Sequence, residues 1–178
     1  GEKTFEKGER KMFFKAISEC IKKSGINKGE IDLYVGGDLM NQLVSSNYAA
    51  SELEIPFLGL YNACATMAES YIIGSTFLES GGFKNIVCAT GSHFSTAERQ
   101  YRYPLEFGNQ RQSYAQWTVT GVGATVLSTK SNSNVKIERF TIGKVVDYGI
   151  CDIANMGAAM APAAMETLVA FFEDTGTT

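Results

Sequence analysis

The order of apolar segments along the chain constrains its fold more than any other feature. Short apolar runs at residues 31–35, 57–61 and 86–89 have the length and composition of buried β-strands. Segments with apolar residues at helical spacing precede the first run and separate the three runs. Further extended segments at residues 117–127 and 135–146 then follow each other without a helix between them. Strands that first alternate with helices and then follow one another predict an α/β layered fold, a mixed β-sheet flanked by helices.

Glycine and proline residues mark the ends of the predicted helices. Gly25 predicts the end of a first helix, and Pro56 ends a second helix predicted over residues 39–53. The glycines at positions 81 and 82 end a third helix, and Pro162 fits the first turn of a last helix. The apolar face of this last helix is predicted to consist of Met165, Leu168, Val169 and Phe172.

The composition excludes several classes of function. With a net charge of −3, the chain has no global basic field, and no nucleic-acid partner is expected. The four cysteines are scattered without a CxxC pair, and His93 is the one histidine, so no metal site, disulfide scaffold or cofactor is expected. The GxG at Gly121 and Gly123 lacks the third glycine of a dinucleotide site and is interpreted as close strand packing. No apolar run approaches the roughly 18 residues of a transmembrane segment.

The stretch FLGLYNACATMAES, residues 57–70, places Cys64 where a strand pattern gives way to a helix pattern. A side chain at such a turn is exposed at the end of the sheet and faces the first free N–H groups of the helix, which favour an anion. Cys64 is therefore either a functional thiol, as a nucleophile or a ligand-binding group, or a small packed residue. Cys20 and Cys88 lack these features and are interpreted as core residues.

Several longer motifs resemble one family. A strand followed by ACAT and a helix resembles the cysteine turn of the thiolase and ketosynthase superfamily. The strings GDLMNQLVSSNYAA, IPFLGLYNACATMAES, GSHFSTAERQYRYPLEFGNQRQSYAQWTVTGVGATVL and NMGAAMAPAA together resemble the stage V sporulation protein AD family, over nearly the full length. The resemblance implies a thiolase-like fold. It further implies that residues 1–178 are a single N-terminal half-domain, preceded by a further segment in the family and lacking the second half of the family fold.

The resemblance also implies a function. It implies a non-catalytic protein that binds dipicolinic acid (pyridine-2,6-dicarboxylate) for its uptake into the developing spore. It implies a homodimer, partners among the other stage V sporulation A proteins at the membrane, and a location that is peripheral to the spore inner membrane or cytoplasmic. Two alternatives stay open. One is a condensing enzyme with Cys64 as acyl acceptor, although the superfamily's catalytic histidine cannot be matched here. The other is a structural module that dimerises and docks other sporulation proteins.

The polar segment at residues 92–117 is rich in aromatic and basic side chains without clear periodicity, which predicts a long functional loop. A flat ligand with two carboxylates needs donors, preferably arginine forks, and an aromatic slot for its ring. The segment is therefore interpreted as a ligand site or as a dimer interface. The GDLMNQ motif adds two residues that are interpreted as site residues or as helix caps. The predicted ligand-binding residues are Asp38, Asn41, Cys64, His93, Arg99, Arg102 and Arg111.

Overall fold

The computed structural model describes residues 1–130 and 133–177, which form two compact units. The first unit comprises residues 1–107 and 118–130, and the second comprises residues 108–117 and 133–177. The sheet and the first four α-helices belong to the first unit, and a fifth helix belongs to the second. None of the helices described is long and apolar enough to cross a bilayer.

The first unit is built on a mixed sheet. Its strands are β1 (Leu33–Asp38), β2 (Phe57–Gly59), β3 (Asn85–Ser92) and β4 (Gly121–Ser128), in the spatial order β2-β1-β3-β4. β1 pairs in parallel with β2 and β3, and β3 pairs antiparallel with β4, which confirms the predicted α/β fold with a mixed sheet. Because the first three strands run in the same direction, their carboxyl ends lie at one edge of the sheet. We call this the strand-end edge; it carries residues 38–43, 60–66 and 92–101.

Helices cover both faces of this sheet. They are α1 (Phe5–Ser24), α2 (Val44–Leu53), α3 (Thr66–Glu79) and α4 (Phe94–Tyr101). Side chains of β1 alternate between two cores, because Tyr34 packs with residues of α1 and α2 and Val35 packs with residues of α3. Cys88 is fully buried in the second core, as predicted. Gly25 ends α1 in the left-handed conformation with φ of 73°, which confirms the predicted helix end.

The helix predicted over residues 39–53 begins later than expected. A 3-10 turn at Asn41–Leu43 precedes α2, and Gln42 and Leu43 have left-handed φ angles of 61° and 54°. Non-glycine residues adopt this conformation at an energetic cost, so surrounding contacts have to hold it. Asp38 supplies these contacts, since its carboxylate accepts hydrogen bonds from the backbone on both sides of the turn.

The prediction of a continuous loop over residues 92–117 is wrong, because α4 lies within it and a 3-10 turn at Leu105–Phe107 follows. Apolar periodicity does not reveal α4, since its buried positions are mostly polar: Ser95, Thr96 and Glu98 are all buried. His93 caps the start of the helix instead of lying within a loop. A short helix with a polar buried face is thus the element that sequence periodicity misses here.

The second unit contains α5 (Met156–Thr175). Pro162 lies inside α5, beyond its first turn, so its predicted first-turn position is wrong. The helix start is capped by Asn155, whose side-chain oxygen accepts a hydrogen bond from the Ala158 N–H at 3.2 Å. Residues 135–146, predicted to be extended, form no strand in the described chain. The side chains of the predicted apolar face of α5 are exposed: Met165, Leu168, Val169 and Phe172.

Candidate functional site

Three of the predicted site segments meet at the strand-end edge. Asp38 is the last residue of β1, Cys64 lies between β2 and α3, and His93 follows β3 directly. In open α/β sheets, ligands bind beside the carboxyl ends of the parallel strands. The parallel pairing of β1, β2 and β3 therefore brings together residues that lie far apart in the sequence, at the position where this fold class places its sites.

Cys64 lies in a tight, exposed turn. It is the central residue of a 3-10 turn at Ala63–Ala65, directly before α3. Thr66 fixes the turn, because its hydroxyl donates to the Ala63 carbonyl at 2.9 Å and accepts from the Asn62 N–H at 3.1 Å. Ala63 has a left-handed φ of 44°. The predicted exposure of Cys64 at a strand-to-helix turn is confirmed, and its thiol makes no hydrogen bond to any residue that the structure describes.

Tyr61, Gln100 and Tyr101, here called the tyrosine–glutamine cluster, connect all three segments of the strand-end edge. The Gln100 side chain accepts from the Asn41 N–H at 2.8 Å and donates to the Leu39 carbonyl at 3.2 Å. Its amide also donates to the Tyr61 hydroxyl at 3.0 Å. The Tyr61 hydroxyl is hydrogen-bonded to that of Tyr101, which donates to the Leu39 carbonyl at 2.7 Å. The cluster thus fixes the backbone at residues 39–41, just before the 3-10 turn, to the segment that precedes Cys64.

Asp38 organises the start of α2 from inside the protein. Asp38 is 3% exposed, and its carboxylate accepts hydrogen bonds from the Met40 N–H at 2.9 Å and from the Ser46 N–H and hydroxyl at 2.7 and 2.6 Å. Burial raises the pKa of Asp38 above its ordinary value, and these donors partly oppose the shift. Its contacts match the capping alternative, because the Ser46 N–H is one of the N–H groups that α2 itself leaves unpaired. Its role in ligand binding stays a prediction.

Glu9 is a buried carboxyl group next to the same edge that sequence reasoning missed. One of its oxygens accepts from the Thr96 hydroxyl at 2.7 Å, and the other has no hydrogen-bond partner among the described residues. Burial raises the pKa of Glu9 to about 7, and the charge of Asp38 adds to the shift. The signal for its burial is its spacing, since Glu9 continues the buried positions Phe13 and Ile17 of α1 in steps of four.

His93 is the N-cap of α4. Its Nδ1 accepts a hydrogen bond from the Ser95 N–H at 3.1 Å, and its ring lies 5.2 Å from the ring of Phe5. Burial lowers the pKa of His93, so the neutral ring predominates near neutral pH. Because Nδ1 is the acceptor, the neutral ring carries its proton on Nε2, where it is a hydrogen-bond donor.

The three predicted arginines are not equivalent. Arg99 forms an ion pair with Glu6, and its side chain is half exposed. Arg102 donates to Glu98 at 2.6 Å in an almost completely buried pair, with side chains 11% and 1% exposed. Arg111 belongs to the second unit, where its guanidinium lies 4.6 Å from the centre of the Trp117 ring.

Comparison with sequence families identifies the relatives of this chain. The family model described as Stage V sporulation protein AD (SpoVAD) matches residues 1–178. Stage V sporulation protein AD of Bacillus subtilis (strain 168) is 43% identical over 173 residues, which cover 97% of this chain and 51% of that relative. The chain therefore spans about half the length of the curated relative that it matches.

Comparison with solved structures supports the fold. Xanthomonas campestris OleA with bound lauric acid and lauroyl-CoA is similar with a TM-score of 0.69 at 13% identity, over 94% of this chain and 57% of that chain. Germicidin synthase from Streptomyces coelicolor, a type III polyketide synthase, is similar with a TM-score of 0.60 at 11% identity, over 95% of this chain and 50% of that chain. At such low identity, these likenesses show the fold alone. The chain belongs to the stage V sporulation protein AD family and has a thiolase-like fold.

Proposed function

We propose that this protein binds dipicolinic acid without catalysing a reaction on it, and that this binding serves uptake of the compound into the developing spore. The observation that carries the proposal is the strand-end edge, where Cys64, at the start of α3, shares one edge with polar groups from β1 and β3. The family resemblance indicates which ligand to expect, and the strand-end edge has groups whose chemistry fits that ligand. No covalent step is required, because hydrogen bonds and ring packing are sufficient for recognition of a flat dicarboxylate.

The ligand's carboxylates and its ring need different partners. Backbone N–H groups at the start of α3 and the Nε2–H of His93 are suitable donors to a carboxylate. The side chain of Asn41 is exposed and is a further donor. Tyr61 and Tyr101 are about half exposed, at 49% and 47%, and their rings are suitable for packing against the pyridine ring.

Among the arginines, Arg99 fits the role of a ligand group best. A surface ion pair contributes only about 0–1 kcal/mol, so Arg99 can exchange Glu6 for a ligand carboxylate at little energetic cost. Breaking the buried pair of Arg102 and Glu98 would leave a buried charge uncompensated, at roughly 3–5 kcal/mol. We therefore assign Arg102 a structural role. Arg111 stays a proposed ligand group of the second unit.

Calorimetric titration of the chain with dipicolinate tests the proposal, with isophthalate as control because it keeps both carboxylates and lacks the ring nitrogen. We expect selective binding of dipicolinate that weakens by about tenfold or more in Arg99→Ala, since a charge-assisted hydrogen bond is lost. Cys64→Ala should also weaken binding, whereas Cys151→Ala, which removes an exposed cysteine of the second unit, should not. Equal affinity for both compounds, or none for either, would refute the proposal for this chain.

A condensing enzyme is the second candidate, and the exposed turn that carries Cys64 favours it. In that reaction the Cys64 thiolate attacks the carbonyl of an acyl thioester, the acyl group moves to Sγ, and the coenzyme leaves as a thiolate that takes up a proton. Incubation with acetyl-coenzyme A followed by intact-mass measurement would show an acetyl adduct that is absent in Cys64→Ser and present in Cys151→Ser. A lack of adduct near neutral pH would exclude this candidate for the chain.

We also propose, from the family resemblance, that the protein is a homodimer that associates with other stage V sporulation A proteins at the spore inner membrane. The exposed apolar side chains of α5 support a protein contact in the second unit. A structural module without a ligand would show the same dimer and partners but no dipicolinate binding. Analytical ultracentrifugation, combined with the calorimetric titration, distinguishes the two proposals.

A further inference from the structure

A groove on the outer side of α1 lies apart from the strand-end edge and has a distinct charge. Its volume is about 410 Å³. Its lining comes from the N-terminal segment, α1 and α2, and consists of Glu2, Lys7, Arg10, Lys11, Phe14, Lys15 and Glu52. Four basic side chains therefore face two carboxylates, in a chain whose net charge is −3. The groove is a local positive surface on an acidic protein.

Two of the basic side chains are already neutralised within the groove. Arg10 pairs with Glu52 at 2.8 Å, and Lys11 pairs with Glu2 at 2.5 Å. Lys7 and Lys15, both exposed, form no ion pair with any residue in the ranges 1–130 and 133–177. At 1.5 Å per residue, these two lysines lie about 12 Å apart along the helix axis. The groove thus holds two carboxylates at its centre and has, toward each end, a lysine outside any ion pair with the described residues, although the hydrogen bond from Lys11 and, to a smaller extent, the charge of Lys7 both lower the pKa of Glu2.

Aromatic side chains give the groove an apolar component. Phe14 lies between the basic residues and packs partly against the core of α1 and α2. The Arg10 guanidinium lies 5.3 Å from the centre of the exposed ring of Tyr48 on α2. Tyrosine and arginine side chains are among those that contribute most to binding at protein interfaces.

We propose that this groove docks an acidic peptide segment of a partner protein, with two carboxylates on Lys7 and Lys15 and an apolar side chain on Phe14. The spacing of the two lysines fits an extended segment of about four residues, at roughly 3.3 Å per residue. The concave shape favours a protruding chain over a flat bilayer, which would contact the rim alone. Glu2 and Glu52, which the protein itself places on Lys11 and Arg10, show that glutamate side chains fit against this surface.

Fluorescence anisotropy tests the proposal with a labelled glutamate-rich peptide that carries leucine at every third position. The control peptide has lysine in place of glutamate. We expect the chain to bind the acidic peptide, with affinity that falls as ionic strength rises. Lys7→Glu combined with Lys15→Glu should weaken binding by about tenfold or more. Lys28→Glu combined with Lys84→Glu makes the same change in net charge at exposed sites outside the groove and should leave binding within about twofold.

Phe14→Ala separates docking from simple charge attraction, because it keeps every charge and removes the apolar contact. The variant should weaken binding of the leucine-containing peptide and leave that of an all-glutamate peptide unchanged. Equal losses in the two lysine pairs, or no binding of the acidic peptide, would overturn the proposal. Binding to phosphatidylglycerol vesicles without binding to the peptide would also overturn it, in favour of a membrane contact.

Discussion

Arg102, the residue that follows α4, forms a buried ion pair at 2.6 Å with Glu98 of the helix, while Arg99 of α4 pairs with Glu6 at the surface. The two arginines have the same chemistry and lie three residues apart, yet their surroundings give them different roles. Thr118 adds a hydrogen bond from its hydroxyl to Glu98 at 3.2 Å. The buried pair therefore connects α4 to the segment that leads into β4.

The two arginines should differ in their contribution to stability. Arg102→Ala leaves Glu98 buried without its cation and should lower the free energy of unfolding by roughly 3–5 kcal/mol. Arg99→Ala removes a surface pair and should lower it by less than about 1 kcal/mol. Urea denaturation at neutral pH measures both values. Similar losses in the two variants would contradict the structural role assigned to Arg102.

Glu9 should make the protein less stable as the pH rises. Its pKa is about 7 in the folded state against an ordinary value of 4.5, so between these values the folded state holds a proton that the unfolded state releases. Stability from this group is therefore full below pH 4.5 and falls as the pH rises toward 7, by roughly 3 kcal/mol in total. The raised pKa of Asp38 contributes in the same direction.

Denaturation across this pH range, in the wild type and in Glu9→Gln, measures the effect. The variant carries no titratable group at this position, so its loss of unfolding free energy between pH 4.5 and 7 should be smaller than that of the wild type by roughly 3 kcal/mol. Glu19→Gln, at an exposed position of the same helix, should retain the pH dependence of the wild type. An unchanged pH dependence in Glu9→Gln would show that Glu9 is ionised in the folded protein.

Gln100 should control the mobility of the backbone at residues 39–41. Gln100→Ala removes the acceptor of the Asn41 N–H and one of the donors to the Leu39 carbonyl. We expect hydrogen exchange at the Asn41 amide to accelerate by about tenfold or more, since exchange follows local opening. Gln110→Ala, in the second unit, is the matched control. Unchanged protection at Asn41 would mean that the two tyrosines hold the backbone at residues 39–41 without Gln100.

Alanine substitutions at two glycines should change the stability of the protein in opposite directions. A Cβ on Gly36, whose φ is 155°, would lie 1.8 Å from the Ala89 carbonyl oxygen, so Gly36→Ala should prevent β1 and β3 from pairing normally. Gly8, inside α1, has open space where the Cβ of an alanine would lie, so Gly8→Ala should stabilise the helix by about 0.5–1 kcal/mol. Thermal denaturation compares them, and a folded, stable Gly36→Ala protein would contradict the close strand packing.

The sequence predicted those features that depend on local patterns. Apolar runs predict the strands of the parallel part of the sheet, and Gly25 predicts the end of α1. The change from a strand pattern to a helix pattern predicts the exposed turn at Cys64. The tyrosine–glutamine cluster could not be predicted in this way, because Gln100 and Tyr101 bond to groups 39 to 62 residues away. The burial of polar side chains in α4 could not be predicted from local patterns either, because Thr96 donates its hydrogen bond to Glu9, which lies 87 residues away in the sequence.

The buried position of Glu9 couples the folding of this protein to the uptake of a proton at that side chain. At a pH between 4.5 and about 7, the unfolded chain has released the Glu9 proton, and the chain takes one up from the solvent as α1 and α4 pack together. The heat of unfolding measured in this range should therefore depend on the ionisation enthalpy of the buffer. The contribution of Glu9 to the stability of the folded chain therefore grows as its surroundings become more acidic, without any ligand bound.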